Sequence, residues 1–278
     1  MPVLSLECRH FLRGRRVKDM AFTPMPLTTA HNLGTHPRDA SEDMRGRHMH
    51  KILVFDLDDT LAGLGLGIRP KDIEKLKLLE DIGYDIAICS GKTVDYLCGF
   101  LRQVELKKPI MIGENGATFR ECVDLPPKKT YHFPYSKEAR GQLDRMKIRL
   151  KELFPEVWYQ PNEVGVTPYP RSEQEFDEMQ ALFDANADDT TCLNIWRHVD
   201  SFDLSPKEIS KFSGLTFFAE KEGYKREDFI CIGNGSNDIP MFEFADVSIG
   251  VEAMVKDHVD YLFSDIGKAL DYLIENRL

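Results

Sequence analysis

The sequence predicts an α/β protein, a Rossmann-like parallel sheet carrying a small inserted α+β domain, on three observations. From residue 51 onward, short apolar runs alternate with segments of helical period. The runs are almost continuously hydrophobic, as strands covered on both faces must be. Four of them end in polar segments, three of these containing glycine, and residues 126–199 break the alternation.

Strands are expected at 51–56, 85–89, 109–113, 228–232 and 246–250. Between the first two, Ile73, Leu76, Leu79 and Ile82 share one helical face, Pro70 suits the first turn, and Gly83 suits the position just past the end. A second helix is expected over 93–104. Helical segments at 136–154 and 172–183 each lead into short strands, the first into 157–160 and 164–169, the second into 191–198. That α-β-β-α-β order predicts a small open sheet with its helices on one face. The core is therefore assigned to 49–125 and 200–278, and 126–199 to an insertion that caps it. Ser205-Pro206-Lys207-Glu208 has the pattern of a capping box with proline at the first helical position and predicts a helix start.

Residues 1–48 show no sustained period and are expected to form a disordered extension. Their basic cluster (Arg9, Arg13, Arg15, Arg16, Lys18) is not followed by an apolar stretch, so a secretory signal is not expected. The chain carries a net charge of −10, and 51–278 alone hold 28 basic against 41 acidic residues. Such a surface repels nucleic acid and anionic membranes, so neither is an expected partner, and an anionic substrate needs local positive charge. No run approaches the roughly 18 apolar residues of a membrane span. Six cysteines without a CxxC pair read as packing thiols in a reducing cytoplasm. Oligomeric state is not legible.

Ligands of open α/β sheets bind beyond the carboxyl ends of the strands, which turns the polar segments into a location. Asp56-Leu57-Asp58-Asp59-Thr60 packs three carboxylates into four positions where the first strand ends. Carboxylates this close need compensation, most simply by a cation. Asp56 reads as a nucleophile and Asp58 as general acid/base: a carboxylate attacking a phosphoryl group splits one hard displacement into two. Asp side chains capping loop amides are the plainer alternative. Ser90-Gly91-Lys92-Thr93 ends like a P-loop, but Ile86 stands where that pattern requires glycine. What remains is a hydroxyl, a glycine and a helix N-terminus able to hold phosphate, with Ser90 as a possible N-cap. A lysine at 211 or 207 is placed to neutralise a phosphoryl group. Gly233-Asn234-Gly235-Ser236-Asn237-Asp238 offers a tight turn with oxygen ligands.

In this order the motifs resemble the haloacid dehalogenase (HAD) superfamily. Asp56–Thr60 is similar to its first motif, Ser90 to the second, and Lys211-Phe212-Ser213-Gly214-Leu215 to the third. Gly233–Asp238 is similar to the fourth. An insertion between motifs two and three, preceded by Glu114-Asn115-Gly116-Ala117, resembles subgroup IIB. The resemblance implies Mg²⁺ held by Asp56, the Asp58 carbonyl and Asn234, with Asp238 supporting the metal. It implies phosphate held by Ser90, Gly91, Lys211 and Asn237, and Asn115 near the mouth. Asn234 stands where the family usually has aspartate and Phe212 where it has glycine. The function implied is a phosphatase acting on a small phosphorylated metabolite, a sugar phosphate or phosphorylated organic acid, through an aspartyl-phosphate. The alternatives are a phosphotransferase resembling phosphomannomutase and a weakly active phosphate-binding regulator. Trp196, Arg197 and His198 are the candidate specificity residues.

Overall fold

Apolar runs become strands where expected. The structure, a computed structural model, describes residues 51–278, so the N-terminal extension lies outside the described residues. The chain begins with β1 (Ile52–Phe55), α1 (Pro70–Asp81), β2 (Asp85–Cys89), α2 (Val94–Arg102) and β3 (Ile110–Gly113). It then runs outward through β4 (Thr118–Glu121) and β5 (Tyr131–His132). The insertion follows: α3 (Lys137–Leu153), β6 (Trp158–Tyr159), β7 (Pro168–Tyr169), α4 (Glu173–Ala185), β8 (Leu193–Arg197) and β9 (Phe202–Pro206). The chain returns to the main sheet with α5 (Lys211–Glu222), β10 (Phe229–Gly233), α6 (Ile239–Phe244), β11 (Val247–Val251), β12 (Tyr261–Phe263) and α7 (Ile266–Asn276).

The eight-stranded sheet has the order β12-β11-β10-β1-β2-β3-β4-β5. Its first six members are parallel, and β4 and β5 extend it antiparallel. All four β1 residues are fully buried, because side chains on both faces meet helices. Leu53 and Phe55 pack in a cluster with Leu76, Leu97 and Leu270 from α1, α2 and α7. Ile52 and Val54 face the opposite cluster, with Leu215, Phe218 and Phe242 from α5 and α6.

The insertion has its own apolar cluster, in which Leu143, Met146, Phe176, Phe183 and Phe202 meet. Its strands form two antiparallel pairs, β6–β7 and β8–β9, joined by reciprocal bonds between Val166 and Leu204 at 3.0 and 2.9 Å. Because β9 pairs with β8 along its whole length, this module extends to Pro206 rather than ending at 199.

The helix expected from Ser205 begins instead at Lys211. Phe202, Leu204 and Pro206 alternate into the insertion's core, and that burial holds the segment extended through Pro206. The N-cap is Ser210, whose hydroxyl accepts the Ser213 N–H while the Ser213 hydroxyl accepts the Ser210 N–H. Phe212, at the second helical position, packs edge-on against Phe244.

Candidate active site

β1 and β10 are neighbours, yet the chain leaves β1 toward β2 on its other side, so a crevice opens beyond their carboxyl ends. Asp56 follows β1, and its N–H donates to the Ile232 carbonyl at 2.9 Å, fixing it at that point. Lys211 donates from its ammonium to Asp56 Oδ1 and to Asp238 Oδ1, each at 2.6 Å. Asp56, Lys211 and Asp238 are 5, 1 and 0% exposed. Burial pushes the Asp56 pKa up to about 6, against the pull of the Lys211 charge and with that of Asp238 adding to the rise. Burial lowers the Lys211 value, but the charges of Asp238 and Asp56 outweigh it and hold the ammonium above the ordinary lysine range.

Lys211 reaches this place because α5 comes unusually close to the turn after β3. A Cβ on Gly214 would lie 2.3 Å from the Gly116 Cα, and Gly116 has a φ of +106°. No side chain fits at either position. Lys207, the other candidate lysine, is exposed in the turn after β9.

A cavity of about 270 Å³ lies above Asp56, between the strand ends and the insertion. Of the site residues expected from the four motifs and the turn after β3, Asp56, Asp58, Ser90, Gly91, Asn115, Asn234 and Asn237 line it, and Lys211 and Asp238 lie beneath. Lys211 is therefore a buried counter-charge to Asp56 and does not form part of the cavity wall. Asp238 accepts Lys211 through one oxygen and the N–H groups of Asn234 and Gly235, each at 2.9 Å, through the other. With both oxygens engaged inside the protein, it anchors Lys211 and the turn after β10. Ser90 is not the cap of α2 either: Thr93 accepts the Tyr96 N–H, while the Ser90 hydroxyl accepts the Lys92 N–H at 3.2 Å.

Sequence reasoning missed Lys92. Its ammonium lies 3.4 Å from Asp58 Oδ2 on the cavity wall. Burial works against its charge, but Asp58 outweighs that and raises the pKa. Its only sequence signal is its place between Gly91 and Thr93, in a segment read for its hydroxyl, its glycine and its helix N-terminus and not for its lysine.

The insertion supplies the facing wall. Gln160 donates to the Gly91 carbonyl at 3.0 Å. Asp203 accepts the Thr167 hydroxyl at 2.7 Å and pairs with His198 Nε2 at 3.3 Å. The bond to Asp203 raises the His198 pKa above the usual imidazole value despite partial burial. Of the three insertion residues expected to face substrate, only His198 lines the cavity. Trp196 is 57% exposed. Arg197 turns outward to Glu173 and lies over the Phe176 ring. Glu114 joins the two walls, its carboxylate accepting the consecutive N–H groups of Glu163, Val164 and Gly165 at 2.7, 2.9 and 2.8 Å. Glu114 and Asn115 both adopt left-handed backbone, φ 49° and 55°, which is costly for residues with a Cβ.

The sequence matches the haloacid dehalogenase-like hydrolase family over residues 53–139 and 159–263. The chain belongs to this family. Among curated relatives, a phosphoglycolate phosphatase of Methanoculleus marisnigri is 24% identical over 209 residues, covering 73% of this chain and 84% of the relative. Among solved structures, TM0651 from Thermotoga maritima superposes with a TM-score of 0.63 at 19% identity, covering 81% of this chain and 97% of that one. A HAD subclass IIB sugar phosphatase, BT4131, superposes with a TM-score of 0.57 at 20% identity, covering 80 and 98%. The chain is thus an enzyme with a HAD-type hydrolase fold. No helix among the described residues is long and apolar enough to cross a membrane.

The donors available for a metal are oxygens: the Asp56 carboxylate, the Asp58 carbonyl and the Asn234 amide. No trio of His, Cys, Asp or Glu side chains converges in ligating geometry among the described residues. One carboxylate with neutral oxygens suits Mg²⁺, which retains several waters, better than a softer ion. Asn234 Oδ1 accepts the Thr60 hydroxyl at 3.0 Å and keeps a second lone pair.

Proposed function

We propose that the protein is a Mg²⁺-dependent phosphatase of small phosphomonoesters, working through a phosphorylated Asp56. The observation that carries this reading is the carboxylate of Asp56 on the cavity floor, held from below by the Lys211 ammonium at 2.6 Å. Oriented in this way, an Asp56 oxygen attacks phosphorus and the bond to the leaving alcohol breaks. Asp58, on the same wall, donates its proton to the departing oxygen. It then takes a proton from the water that attacks the phosphorylated Asp56, releasing phosphate and restoring the carboxylate. Ser90, Gly91 and Asn237 line the cavity where the phosphoryl oxygens would sit, and Lys92 adds positive charge beside them. Bound through Asp56, the Asp58 carbonyl and Asn234, Mg²⁺ would supply the charge relief that an anion attacking a dianion requires. The insertion acts as a cap that keeps bulk water from the first step.

The test is phosphate release from p-nitrophenyl phosphate by the purified protein with Mg²⁺. Asp56→Asn is expected to cut turnover by about 10⁴-fold, the scale of losing a nucleophile. Mass spectrometry should find the phosphoryl group on Asp56 after a quenched reaction. Substantial turnover by Asp56→Asn would end this reading.

A further inference from the structure

We propose that Gln160 is a positioning residue: from the insertion it holds the Gly91–Lys92 peptide so that the Ser90 hydroxyl proton is aimed into the cavity. Phosphate is then gripped in full only while the insertion is seated. This deepens the phosphatase reading and rests on it for the anion held at Ser90–Gly91.

Three successive carbonyls of this loop have different keepers. The Ser90 carbonyl accepts the Asn115 N–H and the Lys92 carbonyl accepts the Glu114 N–H, each at 2.9 Å, so the turn after β3 fixes both. Among the described residues, the Gly91 carbonyl between them accepts only the Gln160 side-chain amide, at 3.0 Å. In a trans peptide the C=O and the N–H point in opposite directions. With the Gly91 carbonyl turned to the insertion, the Lys92 N–H turns back and donates to the Ser90 hydroxyl oxygen at 3.2 Å. That hydroxyl has one proton left to give, and no hydrogen bond among the described residues uses it. Ser90 is 2% exposed and lines the cavity, where a phosphoryl oxygen is the acceptor its proton lacks.

The direction of the Gln160 amide is itself set by a chain of bonds. The Asp203 carboxylate only accepts, so the Thr167 hydroxyl donates to it, at 2.7 Å. The Thr167 oxygen then accepts from the Asn162 side-chain amide at 2.8 Å, which leaves the Asn162 Oδ1 to face Gln160. Gln160 meets that oxygen with its Nε2 at 2.6 Å, and the second proton of the same nitrogen goes to Gly91. Reversed, the side chain would set its own oxygen against two acceptors. Its base is held too, because the Gln160 N–H donates to the Thr167 carbonyl at 2.9 Å. One polarity therefore runs from Asp203 to the phosphate loop. Positive charge on these walls belongs to Lys92 and His198, which pair with Asp58 and Asp203. Gln160 is neutral, and what it contributes is direction.

The test uses the full chain with Mg²⁺ and two readouts: calorimetric binding of inorganic phosphate, and phosphate release from p-nitrophenyl phosphate. Gln160→Met keeps the length of the side chain and removes the donor. It should weaken phosphate binding about tenfold, the scale of one hydrogen bond, and in turnover the loss should fall more on KM than on kcat. Ser90→Ala should weaken binding by a similar amount. Added to Ser90→Ala, Gln160→Met should cost less than about twofold, because the proton it aims is gone. A residue that only seats the insertion would cost the same in both backgrounds. Asn162→Ala leaves position 160 intact but frees its amide to turn, and should weaken phosphate binding about threefold. Undiminished phosphate affinity in either variant, equal losses with and without the Ser90 hydroxyl, or no phosphate binding by the unaltered protein would overturn the assignment. Hydrolysis of no ester, alongside phosphate binding with the expected pattern, would remove the phosphatase reading and leave this one standing.

Discussion

At the floor of the cavity, three charged groups share one site sealed from solvent, and the sheet and the Gly116–Gly214 contact fix their positions. On the wall, His198 and Asp203 keep 39 and 19% of their side chains exposed and are aligned through a chain of side-chain bonds. Burial makes each charge on the floor depend on its neighbours, so no one of them can change alone. On the wall, water can replace a lost partner, so residues there can vary at small cost to the fold. The contrast teaches that the step common to all substrates is placed where change is costly, and recognition where it is cheap.

The strongest way to break this contrast is Lys211→Met, which leaves two carboxylates buried without their cation. It should destabilise the protein by about 3–5 kcal/mol in urea unfolding, the range for breaking a buried ion pair. A loss below that of a surface variant would refute the account of the floor. Glu114→Gln, at the junction of floor and wall, should cost about 1–3 kcal/mol in the same experiment, as backbone donors lose a charged acceptor.

Asn234→Asp sharpens the comparison from the metal side. Restoring a negative charge should lower the Mg²⁺ concentration for half-maximal activity, by about tenfold on the scale of one added carboxylate. An unchanged or higher requirement would count against Asn234 as a ligand. The smallest effect belongs to the wall. His198 should titrate above an ordinary imidazole in NMR, and Asp203→Asn should bring it down, because the carboxylate holds the proton on. Stability should change little. A His198 titration that ignores Asp203→Asn would show the pair to be unformed.

What could be read in the sequence follows from the same division. β1, β2, β3, β10 and β11 are buried on both faces and announce themselves as continuous apolar runs. β4, β5 and β12 are short and lie toward the sheet edges, and the first two carry polar residues, so no period marks them. Strand topology sends Asp56, Ser90, Asn115 and Asn237 to one rim, which is why those positions were legible. Lys92 was hidden inside a segment that resembled something else. Asp203 was not visible at all, because nothing local says which insertion strand will lie over which core loop. The misplaced start of α5 has the same origin: Ser205–Glu208 reads locally as a cap, and pairing of β9 with β8 overrides it.

The clasp made by Glu114 has a mechanical consequence. One carboxylate pinning three successive amides ties the insertion to the sheet at a single spot on one side of the cavity. Any opening that preserves those bonds must swing about that pivot, with travel that widens away from it. Ligands would then come and go on the side of the cavity away from Glu114, and the rate of their passage would be set at a doorway remote from the chemistry.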